Sequence, residues 1–141
     1  MNDILITTDY SSPGDEATAA LIDAGYQIRH RVGARGGDLV AALRGVTGAI
    51  VAHDPLTADV LEQAPTLRAV VRSGVGYDAI DVAAASRLGI QVSNLPGINS
   101  NAVAEYTIGL LLAGARRLVE SASGVSRGQW PRWCAGPSTA W

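Results

Sequence analysis

The sequence contains no lysine: all 11 of its basic residues are arginine. That absence removes Schiff-base chemistry, a lysine general base and the lysine of a phosphate-binding loop. Cysteine is almost as scarce. With Cys134 alone, neither an internal disulfide nor a cysteine-built zinc site can form. There is no polybasic run and the formal net charge is -2, which argues against nucleic acid or an anionic membrane surface as a partner. The opening "MNDILITTDYSS" lacks the basic flank and long apolar core of a secretory signal. The longest apolar stretch, "IGLLLAGA", is far short of a membrane span. A soluble, cytoplasmic domain is the expectation.

What is present is enough apolar residue for a core. The chain has 141 residues, 48% of them hydrophobic, which suits one globular domain. Five runs read as parallel strands: "ILITT", "YQIRH", "GAIVA", "LRAVVR" and "IQVSN". All but the second are nearly continuous in apolar character; the second alternates, as an edge strand does. Segments of helical spacing separate them: "GDEATAALIDAG", "GGDLVAALRG", "LTADVLEQA" and "DAIDVAAASRLG". Gly25, Gly45 and Gly89 fall where helix C-caps are needed. Such alternation implies an α/β fold, a doubly wound five-stranded parallel sheet.

The sixth element is different. "NAVAEYTIGLLLAGARRLV", from Asn101 to Val119, is apolar around nearly its whole circumference and predicts one long helix buried between domains or subunits. The Gly/Ser/Pro-rich remainder, "SASGVSRGQWPRWCAGPSTAW", predicts a loose tail whose three tryptophans want a partner surface.

The chemistry centres on "LRAVVRSGVGYDAID", Leu67 to Asp81. Its G-x-G-x-x-A is a variant of the dinucleotide loop, between a strand and a helix as that motif requires. The next strand, however, ends "QVSN" without the carboxylate that binds the ribose. Asp78 and Asp81 stand at the helix mouth, where a diphosphate would have to dock. A smaller anion fits better, because main-chain N–H groups of "SGVG" can turn inward as a nest for one carboxylate, with Arg72 adding charge. A plain tight turn, with glycine for positive φ and Asp78 or Asp81 as helix cap, ranks slightly ahead on pattern alone.

Residues 57–118 and the later "RGQWPR" resemble the D-isomer-specific 2-hydroxyacid dehydrogenases, closest to the phosphoglycerate dehydrogenase branch. The likeness rests on "TADVLEQAPTLRAVVRSGVGYDAIDV" and "NLPGINSNAVAEYTIGLLLA", which occur in order with familiar spacing. It implies a flavodoxin-like substrate domain over residues 1–127 and a tail, 128–141, leading toward an NAD-binding Rossmann domain. It further implies a small 2-hydroxy or 2-oxo acid held by Arg72, Ser73, Gly74, Val75, Gly76 and Asn99. Val75 and Ala104 would touch the cofactor, which is NAD in this family. Glu105, Tyr106, Leu110 and Trp130 would lie at an interface, with homodimerisation through the 101–119 helix. The family's catalytic arginine, carboxylate and histidine have no counterpart in these 141 residues, so a catalytically incomplete chain is expected.

Other candidates have plainer readings. His53, in "VAHDPLT", reads as a rim histidine, with Asp54 or Thr57 capping the next helix. His30, beside Arg29 and Arg31, reads as solvated surface. Asp9, Ser11 and Ser12 follow the first strand and are explained by a Pro-Gly turn and an N-cap. Cys134 has no basic partner to activate it, and Glu105 reads as complementing its helix dipole. A receiver-like domain shares the fold class, but the acidic pair and lysine it needs are missing. A non-catalytic binding or self-association module derived from the same domain remains the alternative.

Overall fold

The computed structural model describes residues 2–9 and 14–130; the readings of Ser11, Ser12 and Cys134 lie outside the described residues. Five strands appear close to where the apolar runs place them: β1 (Asp3–Ile6), β2 (Gln27–His30), β3 (Val46–Val51), β4 (Ala69–Arg72) and β5 (Gln91–Ser93). Between them lie α1 (Glu16–Asp23), α2 (Gly36–Leu43), α3 (Ala58–Glu62) and α4 (Val82–Arg87). The strands form one parallel sheet in the order β2-β1-β3-β4-β5, the flavodoxin order.

Register explains why the strand sequences are so apolar. One row runs across the sheet through Leu5, Ala49, Val70 and Val92, and ends on Arg29 at the β2 edge. Leu5, Ala49 and Val70 are buried, and they share a single core cluster with Leu39 and Leu43 of α2, Leu61 of α3, and Ala84 and Ala85 of α4. Each buried leucine contributes about 1.5–3 kcal/mol over leaving it in water. On β2 burial alternates, as expected of an edge. Its outward Arg29 forms an ion pair with Asp3, which is itself buried.

Helix ends are set by glycine where the chain must turn left-handed. At the end of α4, Gly89 has φ 70, and Gly89 and Ile90 donate back to the carbonyls of Ser86 and Ala85. That turn returns the chain directly into β5. Because every strand is parallel, the segments after β1, β3, β4 and β5 all emerge along one edge of the sheet. This is where an open α/β sheet places its ligands.

The chain divides into two compact units, one ending at Ile98 and the other beginning at Asn99. The second unit departs from expectation. In place of one helix over 101–119 there are two, α5 (Ser100–Ala115) and α6 (Leu118–Ser126). Arg117 breaks them by adopting φ 51, the left-handed region, and its guanidinium pairs with Glu120 in the first turn of α6. Nothing in "GARRLV" marks that break, since arginine is a good helix former. The segment expected to be loose is helical as far as Ser126, closed by Gly128 at φ 71. The two helices pack against each other, yet α5 buries none of its residues.

Candidate functional site

The loop after β4 is fixed from both sides. The main-chain N–H and the hydroxyl of Ser73 both donate to the carbonyl of Val51, at 2.9 and 2.8 Å, holding the loop against the end of β3. Gly74 N–H then donates to the carbonyl of Arg72 at 2.8 Å, a three-residue turn about Ser73. From the other side, Leu95 N–H donates to the Gly74 carbonyl at 3.0 Å, and the Asn94 side-chain amide donates to the Val75 carbonyl at 2.8 Å. Further on, Leu56 N–H bonds the Ala79 carbonyl and Asp81 N–H bonds the Leu56 carbonyl, both at 2.9 Å. The loop therefore meets α4 at a fixed angle.

This geometry revises which groups can serve a ligand. Of the four residues expected to offer N–H donors, Ser73 and Gly74 use theirs internally. The N–H groups of Val75 and Gly76 make no hydrogen bond among the described residues, and both residues are exposed. The glycines are not there for positive φ, since neither Gly74 nor Gly76 has it. At Gly74 a Cβ would stand 2.2 Å from a guanidinium nitrogen of Arg72, the far end of a flexible side chain. The Arg72 side chain thus folds back over its own loop at Gly74, the residue before the donor pair. A cavity of about 160 Å³ adjoins the loop, lined by Tyr77, Val82, Val92, Ser93 and Asn94.

A dinucleotide does not fit these residues. The carboxylate of Asp81 accepts from Ala84 N–H at 2.8 Å and so occupies the end of α4, a helix of 6 residues. Asp78, also at the helix mouth, stands exposed with its carboxylate 3.4 Å from where a Gly76 Cβ would lie. Two carboxylates where two phosphates would sit are repulsive, and one of the helix's few open amides is already used.

Along the same sheet edge, Thr7 after β1 donates its hydroxyl to Asp54 after β3. Asp54 is buried and also accepts from Ala52 N–H at 3.2 Å. It does not cap α3, and Thr57, at the N-cap position, makes no side-chain cap bond. The helix-cap reading of both residues is thereby corrected: the buried carboxylate finds stronger partners across the sheet. His53 is exposed, as expected at a rim, and borders a cavity of about 220 Å³ with Asp9, Arg35 and Asp54. Arg35 donates to the His53 carbonyl at 2.8 Å. His30 is not solvated surface: it is half-buried, and its Nε2 is enclosed without a partner among the described residues.

The remaining expected residues belong to the second unit. Asn99 holds the N-cap position of α5, with φ -116 and no side-chain cap bond. Ala104, Glu105, Tyr106 and Leu110 lie along α5; Tyr106 is 69% exposed and Leu110 55%. Glu105 is beyond the first turn of α5, which contains no acidic residue, so its helix-dipole role fails on position. Trp130 is 79% exposed. Reading the sequence missed Asn94 and Thr7. Asn94 stood in plain view at the head of N-x-P-G-x-N-S, but its partner Val75 is 19 positions away. Among the described residues there is no cluster that could hold a metal, and no helix is long and apolar enough to cross a membrane.

Comparison with known proteins agrees with this architecture. Residues 4–137 match the catalytic domain of the D-isomer specific 2-hydroxyacid dehydrogenases. A glyoxylate reductase of Aeropyrum pernix is 51% identical over 79 residues, covering 56% of this chain and 24% of its own length. A protein of Thermus thermophilus superposes with a TM-score of 0.81 at 31% identity, over 97% of this chain and 43% of its own. A 3-phosphoglycerate dehydrogenase of Entamoeba histolytica, solved with NAD+ bound, gives 0.67 at 28% identity, over 80% and 39%. The chain spans about a quarter of the length of the curated relatives it matches.

Proposed function

The chain belongs to the D-isomer specific 2-hydroxyacid dehydrogenase family, and from that membership we propose that it is the substrate-binding part of an NAD-dependent oxidoreductase acting on the CH–OH group of a D-2-hydroxyacid. One observation carries this reading: two adjacent amides, Val75 and Gly76, that make no hydrogen bond among the described residues, beside an arginine held over the same loop. A carboxylate accepts from both amides while Arg72 supplies the counter-charge. The acid is then fixed by its C1 end, and the C2–OH bond to be oxidised stays clear of the loop. The similar glyoxylate reductase and phosphoglycerate dehydrogenase favour a small acid of this kind.

NAD, when bound, supplies the hydride acceptor. Its diphosphate has no seat on the loop after β4, so the nucleotide is assigned to another part of the enzyme; Val75 of the first unit is proposed at its nicotinamide end and, in the second unit, Ala104 as a cofactor contact and Asn99 as a substrate contact. The proton shuttle is likewise assigned elsewhere, because the family's catalytic histidine has no matching position among these residues. The doubly wound arrangement, with residues 1–127 as substrate domain, belongs to this reading. So does homodimerisation through the helical segment from Asn101 to Val119, with Glu105, Tyr106, Leu110 and Trp130 at the interface.

The alternative, a non-catalytic self-association module, draws on the same helical surface without the acid site. Tyr106, Ile108, Leu110, Leu111 and Leu112 on α5 are all more than half exposed, an apolar surface that water disfavours. Titrating the 15N-labelled chain with glycolate and with NADH separates the two. Saturable shifts of the Val75 and Gly76 amides with glycolate alone support the substrate-binding reading. Self-association in sedimentation without any response to the acid supports the module. NADH-dependent turnover of a 2-oxoacid by the 141-residue chain would overturn the assignment of chemistry to another part.

A further inference from the structure

Two consecutive peptide units form the donor pair, Gly74–Val75 and Val75–Gly76. In a trans peptide the C=O and the following N–H point in opposite directions, and the described chain contains no cis bond. The Gly74 carbonyl is turned toward Leu95 N–H at 3.0 Å and the Val75 carbonyl toward the Asn94 side-chain amide at 2.8 Å. Both carbonyls therefore face the same two-residue segment after β5, and both N–H groups face away from it. With both carbonyls tied back, both amides are left on the opposite side of the loop.

The two ties are not equivalent. Leu95 contributes main chain, which any residue supplies. Asn94 contributes a side chain, and only a residue with an N–H or O–H donor of that reach can replace it. The Val75–Gly76 peptide also ends on glycine, whose lack of Cβ lets the peptide plane rotate at low steric cost. Turning that plane changes ψ of Val75 as well as φ of Gly76, so β-branched Val75 resists it in part and the hydrogen bond from Asn94 supplies a further restraint.

We infer that Asn94 is a positioning residue for the carboxylate: by holding the Val75 carbonyl it aims the Gly76 N–H at the substrate without touching the substrate itself. This rests on the reading of the Val75 and Gly76 amides as the carboxylate site. It adds that the site's affinity is set from the β5 end, by a side chain behind the loop.

The test uses the full 15N-labelled chain, glycolate as probe, and the substitutions Asn94→Leu, nearly the same shape without a donor, and Asn94→Ala, should the first not fold. Dissociation constants come from the Val75 and Gly76 amide shifts, with thermal midpoints measured in parallel. Expected are saturable shifts in the wild-type chain and a dissociation constant raised about five-fold or more in the variant, the worth of one ordinary hydrogen bond. The Gly76 amide should also shift in the ligand-free variant, while amides of β1 to β3 stay in place. A purely structural role would lower the midpoint and leave the affinity of the folded chain unchanged. An unchanged affinity, with the wild type still titrating at Val75 and Gly76, overturns the role of Asn94 and leaves the carboxylate site standing. No response of those amides in the wild-type chain overturns both.

Discussion

The hydroxyl of Thr7 donates to the buried carboxylate of Asp54, joining the ends of β1 and β3. In the order β2-β1-β3-β4-β5 the chain leaves β1 for β2 on one side and later adds β3 on the other. This pair therefore closes the crevice at the switch point. Removing the hydroxyl leaves a buried carboxyl oxygen short of a donor. Thr7→Val should cost about 1–3 kcal/mol in urea denaturation. An unchanged midpoint would mean that water or a rearranged main chain satisfies Asp54 equally well.

Gly74 is expected to matter for binding more than for stability. Its φ is not positive, so alanine suits the backbone, but a Cβ there would meet the Arg72 guanidinium at 2.2 Å. The obstacle is the far end of a flexible side chain, which can move. Gly74→Ala should change the unfolding free energy by less than about 1 kcal/mol. It should weaken glycolate binding several-fold by displacing the charge, as calorimetry or amide shifts would record. Full-strength binding would remove Arg72 from the site.

Asp81 makes the reverse case, a residue whose work is local. Its carboxylate caps α4 through Ala84 N–H at 2.8 Å. Asp81→Ala should cost about 0.5–2 kcal/mol, and Asp81→Ser should recover most of it. Because Ala84 and Ala85 are buried in the core, α4 should remain folded and circular dichroism should hardly change. Loss of helix signal would show that capping outweighs packing there.

Arg117 is a non-glycine residue in the left-handed region, at the break between α5 and α6. Arg117→Gly should raise the thermal midpoint by relieving that conformation. Glu120→Gln, which removes only the ion pair, should lower it slightly. The hydrogen bond to Glu120, and then its charge, hold the Arg117 guanidinium above its ordinary range. With a raised pKa the contribution persists below the ordinary arginine range and is lost only as pH climbs past it. The arginine side of the pair should thus be indifferent to pH near neutrality. A midpoint that falls in Arg117→Gly would mean the pair outweighs the backbone strain.

Much of the first unit was legible because buried parallel strands leave a strong signal. "LRAVVR" and "GAIVA" are continuous apolar runs, and they become β4 and β3. Gly25, Gly45 and Gly89 each take the positive φ expected of them. The glycine loop reads as an anion site from its pattern, but the pattern does not say which amides stay open, since that depends on Val51 of β3 and Asn94 just after β5. Contacts of that kind carry no local signature. The same holds for Asp54, whose partner Thr7 lies 47 positions away. The helix break at Arg117 was hidden for the opposite reason: local propensity favours helix through both arginines, and the turn runs against it.

A crystal of the chain soaked with glycolate, and a second soaked with NADH, would address the central point most directly. A carboxylate oxygen within about 2.7–3.2 Å of both the Val75 and Gly76 nitrogens is expected in the first, and no diphosphate on those nitrogens in the second. The NADH diphosphate seated on the Val75 and Gly76 amides, with glycolate bound elsewhere or not at all, would contradict it.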